Sequence, residues 1–184
     1  MKSLAKLLLI FGLICYSFAG YYIWLRNDPN RLKFSNAAQV VKPSVASESA
    51  EMKQKLLPTR ISIKDVGIDL PITQAKINNN TWETTENGVS YLVSSPLPGE
   101  EGNSVLYGHN WANLLGPLVK IRTGQEIIVQ FSDQSKKKFV VEYTSVVSPN
   151  ESSILAPSKD KRITLYTCTG FLDSKRFVVV AILR

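Results

Sequence analysis

Hydrophobic residues change rhythm twice along the chain. Leu7 to Leu25 reads LLLIFGLICYSFAGYYIWL, 19 residues without a charge. As a helix it would span about 28 Å at 1.5 Å per residue, close to the hydrocarbon thickness of a bilayer. Tyr21, Tyr22 and Trp24 gather at its far end, as aromatic side chains do at a membrane interface. Residues 26–56 then mix Asn, Ser, Ala, Lys and Glu with little periodicity, which predicts a stalk with a short helix near 49–57. From Pro58 onward apolar and polar residues alternate in short runs bounded by Gly, Pro and Asp, the signature of strands.

RISIKDVGIDLPITQAKI, with breaks at Gly67 and Pro71, opens this part. NSVLYGH predicts a short strand. EIIVQF and KFVVEYTSVV predict two more, joined at SDQSKKK as a hairpin with Lys136, Lys137 and Lys138 at its tip. RITLYTC and RFVVVAIL close the series. Only WANLLGPLVKI and ESSILAP leave room for short helices. Six to eight strands at this spacing predict an all-β barrel or sandwich. The chain therefore divides into a membrane anchor over 1–25, a stalk over 26–56 and one folded domain over 57–184, in keeping with a length of 184 residues.

The competing reading of the first segment is a cleaved signal peptide, with Ser17-Phe18-Ala19 as the cleavage site. The length of the apolar stretch favours a retained anchor, and either reading sends the domain across the membrane. Lys2 and Lys6 precede the segment while Arg26, Arg31 and Lys33 follow it, so basic residues alone do not orient it. Net charge is +7. The basic residues are dispersed, which points to an anionic cell surface at least as well as to nucleic acid, and no nucleic-acid partner is expected.

Chemistry narrows quickly. With Cys15 inside the apolar segment, Cys168 is the only cysteine of the domain, and His109 is the only histidine of the chain. No disulfide framework and no zinc ligand set can be assembled, and neither a metal nor a cofactor is expected. Cys168 ends one predicted strand, Arg176 begins the next, and His109 ends an earlier one. A thiolate is a nucleophile, an imidazole can take the thiol proton and return it to a leaving amine, and a guanidinium can hold an oxyanion with a fork of donors. Singly, each has an ordinary reading as a packed thiol, a hydrogen-bonded ring or a solvated turn residue. Together at strand ends they suffice for acyl transfer on a peptide.

TLYTC (164–168), RFVVVA (176–181) and VLYGHN (105–110) resemble the cysteine, arginine and histidine strands of the sortase family, the membrane-anchored cysteine transpeptidases of bacterial surfaces. The segments 88–110 and 148–168 resemble that family's approaches to the histidine and the cysteine, and the likeness covers 57–184. It implies a single closed eight-stranded β-barrel with one or two short helices behind an N-terminal transmembrane helix. It also implies Cys168 as nucleophile, His109 as general acid/base, Arg176 as stabiliser of oxyanion or substrate, and Thr167 near the bound substrate. The implied substrate is a surface protein with an LPxTG-like C-terminal sorting signal, cut between Thr and Gly. The acceptor is an amine of a cell-wall precursor or of a pilin-type lysine. A single-pass protein with its N-terminus inside and its catalytic domain extracytoplasmic follows. The compact domain is most similar to classes D and E, and no lid-like segment is expected between the stalk and the first strand. Two alternatives stay open: a surface cysteine endopeptidase with water as acceptor, and a non-catalytic surface β-domain.

Overall fold

The structure, a computed structural model, describes residues 2–26, 28–35, 56–78 and 81–184. Helix α1 runs from Lys2 to Arg26 and leaves its apolar side chains exposed. Its Leu4–Leu25 portion is long and apolar enough to cross a membrane. Most of the short helix expected near 49–57 lies outside the described residues.

The domain contains β1 (Pro58–Ile63), β2 (Ile68–Ala75), β3 (Ile77–Asn78), β4 (Thr81–Trp82), β5 (Val89–Leu92), β6 (Gly102–Gly108), β7 (Glu126–Phe131), β8 (Lys136–Val147), β9 (Lys161–Thr169) and β10 (Lys175–Leu183). Eight of these close a barrel in the order β1-β2-β5-β6-β9-β10-β8-β7, while β3 and β4 form a separate two-stranded flap. Closure leaves the barrel without a free sheet edge. β2 runs parallel to β5 and β6 parallel to β9; the other barrel neighbours are antiparallel. At the β1–β2 hairpin Gly67 sits at φ 71, a left-handed position that glycine adopts without a Cβ penalty.

Two apolar clusters explain the sequence pattern. Ile61, Ile127, Val129, Phe139, Leu165 and Val179 fill the barrel interior, and the strands that supply only this cluster, such as β7, alternate buried residues with exposed or half-buried ones. β6, β9 and β10 instead are buried along most of their length, because their outer faces are covered as well. Val105, Tyr107, Tyr166, Cys168, Val178 and Val180 form this outer cluster, covered by Leu32, Phe34, Trp82 and Leu155. Phe139, fully enclosed inside the barrel, has no room to be replaced by a smaller side chain without leaving a cavity. Phe139→Ala is expected to cost about 3–5 kcal/mol, read as a lower urea midpoint at unchanged slope.

Two local expectations are revised. The helical segments of the domain are single 3₁₀ turns, including Gly116–Lys120 and Ser152–Leu155, where the sequence left room for helices. Lys136, Lys137 and Lys138 are not the hairpin tip: the turn is residues 132–135, and the lysines pair with Gln130, Val129 and Ile128 as the start of β8. Lys137 lies over the Phe131 ring at 4.8 Å and donates to the Pro98 carbonyl, contacts that hold its stem against the barrel.

Candidate active site

The register of three adjacent strands builds the site. β9 and β10 form an antiparallel hairpin in which Cys168 stands directly opposite Arg176. β6 lies parallel on the other side of β9, with Gly108 beside Thr167, so His109 leaves the ladder one residue further on, level with Cys168. All three residues thus reach the same end of the barrel although 59 positions separate His109 from Cys168. Thr167 fixes this register: its fully buried hydroxyl donates to the Gly108 carbonyl at 2.8 Å. Gly108 itself leaves little room, since a Cβ there would stand 3.1 Å from Leu115 Cδ1 and 3.2 Å from the Gly88 carbonyl.

His109 stacks on Trp111 with ring centroids 4.7 Å apart. The next residue, Asn110, donates through Nδ2 to Asp173 Oδ1 at 2.8 Å. Arg176 is almost entirely buried, and its Nη1 donates to the carbonyls of Asp173 and Lys175, both at 3.0 Å. Its Nε has no protein partner, which leaves an aimed donor in a buried site. The connection from β9 to β10 is tight: Leu172 and Asp173 both take positive φ, 51° and 56°. An aspartate tolerates this conformation better than most residues and a leucine does not, so the turn stores strain close to the thiol.

A further segment completes the site. Residues 29–34, within the stretch expected to be a stalk, lie over the Cys168 end of the outer cluster, with Pro29–Leu32 as a 3₁₀ turn. The Cys168 thiol donates to the Arg31 carbonyl at 3.2 Å. Arg176 Nη2 donates to the Lys33 carbonyl at 3.1 Å. Leu32 and Phe34, on the alternate side of this strap, are fully buried, and Phe34 meets Tyr166 edge to face at 5.0 Å. Arg31 Nη2 forms an ion pair with Asp173 Oδ2 at 2.7 Å. Ser35 ends the strap, its N–H donating to the Pro149 carbonyl and its hydroxyl to Asn150 Oδ1. The physical reason is the uncovered outer face of β9 and β10, which needs apolar cover that barrel closure does not supply.

The forces holding the strap are nearly matched by the cost of ordering it. Burying two large apolar side chains contributes about 3–6 kcal/mol. The five polar contacts contribute a further roughly 3–7 kcal/mol. Fixing the backbone of seven residues, 29–35, costs about 7–14 kcal/mol.

Burial sets the ionisation of the covered site. It pushes the Cys168 thiol up to about 11, with Asp173 adding to the rise and Arg176 and Arg31 opposing it. Burial also pushes His109 below the usual imidazole range, against the pull of Glu86 and Asp173 and with the help of Arg31. The covered site therefore rests as neutral thiol and neutral ring at neutral pH. Alkylation of Cys168 in a Cys15→Ala chain is expected to accelerate with pH through about 11 rather than through the ordinary thiol range. A rate already level at the ordinary thiol value contradicts this ionisation. Among the described residues no three His, Cys, Asp or Glu side chains gather as metal ligands.

Asp173, Asn110, Trp111 and the strap are not singled out by sequence reading. The alternation in RLKF (31–34) is the one available signal for the strap, and it spans only four residues.

Comparison with known proteins agrees with this architecture. A family model for the sortase domain matches residues 61–184. Sortase A of Bacillus anthracis is 26% identical over 157 residues, covering 83% of this chain and 72% of the relative. Sortase A of Listeria monocytogenes is 27% identical, covering 74% of this chain, and the chain spans 61% of that relative's length. The structure of sortase A from Corynebacterium diphtheriae superposes with a TM-score of 0.62 at 26% identity, covering 92% of this chain and 81% of that one. The match of the family model to the greater part of the chain, on a closed barrel of this strand order, makes the chain a member of the sortase family.

Proposed function

We propose that the chain is a cysteine transpeptidase that cuts an LPxTG-like sorting signal between Thr and Gly and transfers the upstream protein to an amine acceptor at the cell surface. The observation that carries this reading is the register that sets Arg176 opposite Cys168 and brings His109, one residue past the end of β6, level with it. His109 takes the Cys168 proton, and the thiolate adds to the carbonyl carbon of the scissile bond. Arg176, whose Nε has no protein partner, supplies donors to the oxyanion. As the intermediate collapses the C–N bond breaks, and the imidazolium gives its proton to the leaving glycine amine. The acceptor amine then adds to the thioester, loses a proton to the imidazole, and displaces the thiolate, so that a new amide replaces the old one.

Thr167 serves from beneath, its hydroxyl on the Gly108 carbonyl holding the histidine strand against the cysteine strand. Helix α1 acts as a retained single-pass anchor with its N-terminus inside, placing residues 57–184 outside the membrane as the catalytic domain. Sorting-signal proteins and a cell-wall precursor or pilin-type lysine are the partners. Residues 29–34 cover the cysteine end of the barrel, which does not favour classes D and E.

The test is incubation of the full chain with an LPxTG-type peptide, with and without triglycine. A product carrying triglycine is the expected result. Cleavage giving only the free acid in both tubes means a hydrolase, and absence of any cleavage favours the non-catalytic domain.

A further inference from the structure

The outer face of β1, β7 and β8 gathers basic residues that take no part at the thiol end. Register sets Arg60 beside Gln130 and Gln130 beside Lys136, then Ser62 beside Ile128 and Ile128 beside Lys138. Lys64 follows two positions after Ser62. Arg60 and Lys64 thus stand along one edge, Lys136 and Lys138 along the other, and Ser62, Ile128 and Gln130 form the floor. Together they line a trough of about 470 Å³, the size of a ligand site. Its edges are two strand spacings apart, about 10 Å. Two carboxylates answer the cations: Asp69 accepts from Arg60 through both oxygens, at 2.6 and 2.7 Å, and Glu126 pairs with Lys138 at 2.9 Å. Lys64 and Lys136 form no ion pair among the described residues. Lys137 adds charge to the lining, while its ammonium is engaged at the Pro98 carbonyl. The trough keeps a positive excess, and its exposed ion pairs are weak enough to exchange for the anions of a ligand.

We propose that this trough binds a linear polymer of phosphodiester-linked polyol units, laid along the strands between the two basic edges. Rows of cations on both sides suit a chain of successive charges. An α-helix with its side chains is about 10–12 Å across, as wide as the trough, so an acidic helix would ride above the floor. An extended phosphodiester chain sinks to Ser62 and Gln130, whose side chains are donors for phosphate oxygens. No aromatic side chain is among the residues that line the trough, so a nucleobase finds no stacking platform there. Lipid headgroups lie at the wrong end. The chain enters the domain from α1 at the Cys168 end, whereas Lys138 lies at the Leu183 end of β10, about 23 Å further along. Bound there, the polymer moors the barrel to an anionic surface layer and leaves the thiol end free, whatever reaction that end performs.

The test places the full chain in nanodiscs of neutral lipid and follows the fluorescence anisotropy of labelled poly(glycerol phosphate). Affinity is expected to fall with salt at a logarithmic slope of about −2 to −3, as for three or four neutralised phosphates. Lys64→Gln and Lys136→Gln are each expected to weaken binding about fivefold and to flatten the slope by about 0.7. Lys161→Gln removes the same charge from β9, on the opposite side of the barrel from β1, and is expected to leave both as in the parent. Asp69→Asn frees Arg60 and removes an opposing charge. It is expected to tighten binding about fivefold, a gain that a damaged fold would not give. Absence of binding at low salt overturns the site, and so do parent-like affinities in the double variant of Lys64→Gln and Lys136→Gln. Equal losses in Lys136→Gln and Lys161→Gln reduce the effect to net charge and overturn it too. Tighter binding of poly-glutamate or oligothymidylate of matched charge overturns the polyol phosphate as occupant. Polymer binding is expected to be unchanged in nanodiscs of phosphatidylglycerol, whose surface lies more than a screening length from the trough. Its loss there would hand the trough to lipid headgroups.

Discussion

Cys168→Ala is expected to abolish thioester formation and to lower peptide transfer by more than about 10³-fold, the scale on which loss of a covalent nucleophile acts. Cys168 is a small side chain, and only its sulfur distinguishes it from alanine. The barrel should therefore keep its melting transition while losing chemistry. The measurement is the mass of the full chain after brief mixing with an LPxTG-type peptide without acceptor. The parent chain gains the mass of the upstream fragment, and the variant does not. Transfer at the parent rate in the alanine variant would remove Cys168 from the reaction and leave the domain without a nucleophile at this end of the barrel.

Arg176→Lys is the second large effect, about 10²–10³-fold in kcat. The guanidinium already serves the carbonyls of Asp173 and Lys175 through Nη1 and that of Lys33 through Nη2, and retains Nε. Its rigid fork spreads these donors in a plane. An ammonium offers a point charge on a flexible stem and would abandon the turn carbonyls to reach an oxyanion. The charge that opposes the upward push of burial on the Cys168 thiol would be retained in kind but displaced. Burst kinetics with the peptide separate the acylation step from the later transfer. Unchanged acylation in the lysine variant would assign Arg176 to the turn alone.

The parts of this structure visible in the sequence are those governed by neighbours along the chain. The alternation in EIIVQF becomes β7 because one face of that strand meets the core and the other meets water. The apolar run of β10 marks a strand covered on both faces. Cys168 and Arg176 could be paired from sequence because a short connection makes their strands a hairpin, and register then follows from the turn. His109 had no such local clue to its neighbours: β6 meets β9 by a parallel crossover between distant segments, and it entered the set as the chain's only histidine, at a predicted strand end, and through the resemblance of VLYGHN. The strap was invisible for the same reason. Its contacts with Cys168 and Arg176 span 137 and 143 positions, and a polar stretch holding two buried apolar side chains reads as a stalk until the surface it covers is known. Asp173 reads as an ordinary turn residue, since its role comes from a left-handed backbone and from three partners, two of which are far away in sequence.

The position of the strap also governs reach. With α1 seated in a bilayer, the barrel is tethered at whichever point the chain first grips it. While the strap is docked that point is Pro29, three residues past the helix end at Arg26, a leash of about 10 Å at full extension. The cysteine end of the barrel is thereby kept within a few residues of the end of α1, so that a bilayer around that helix would lie beside the thiol.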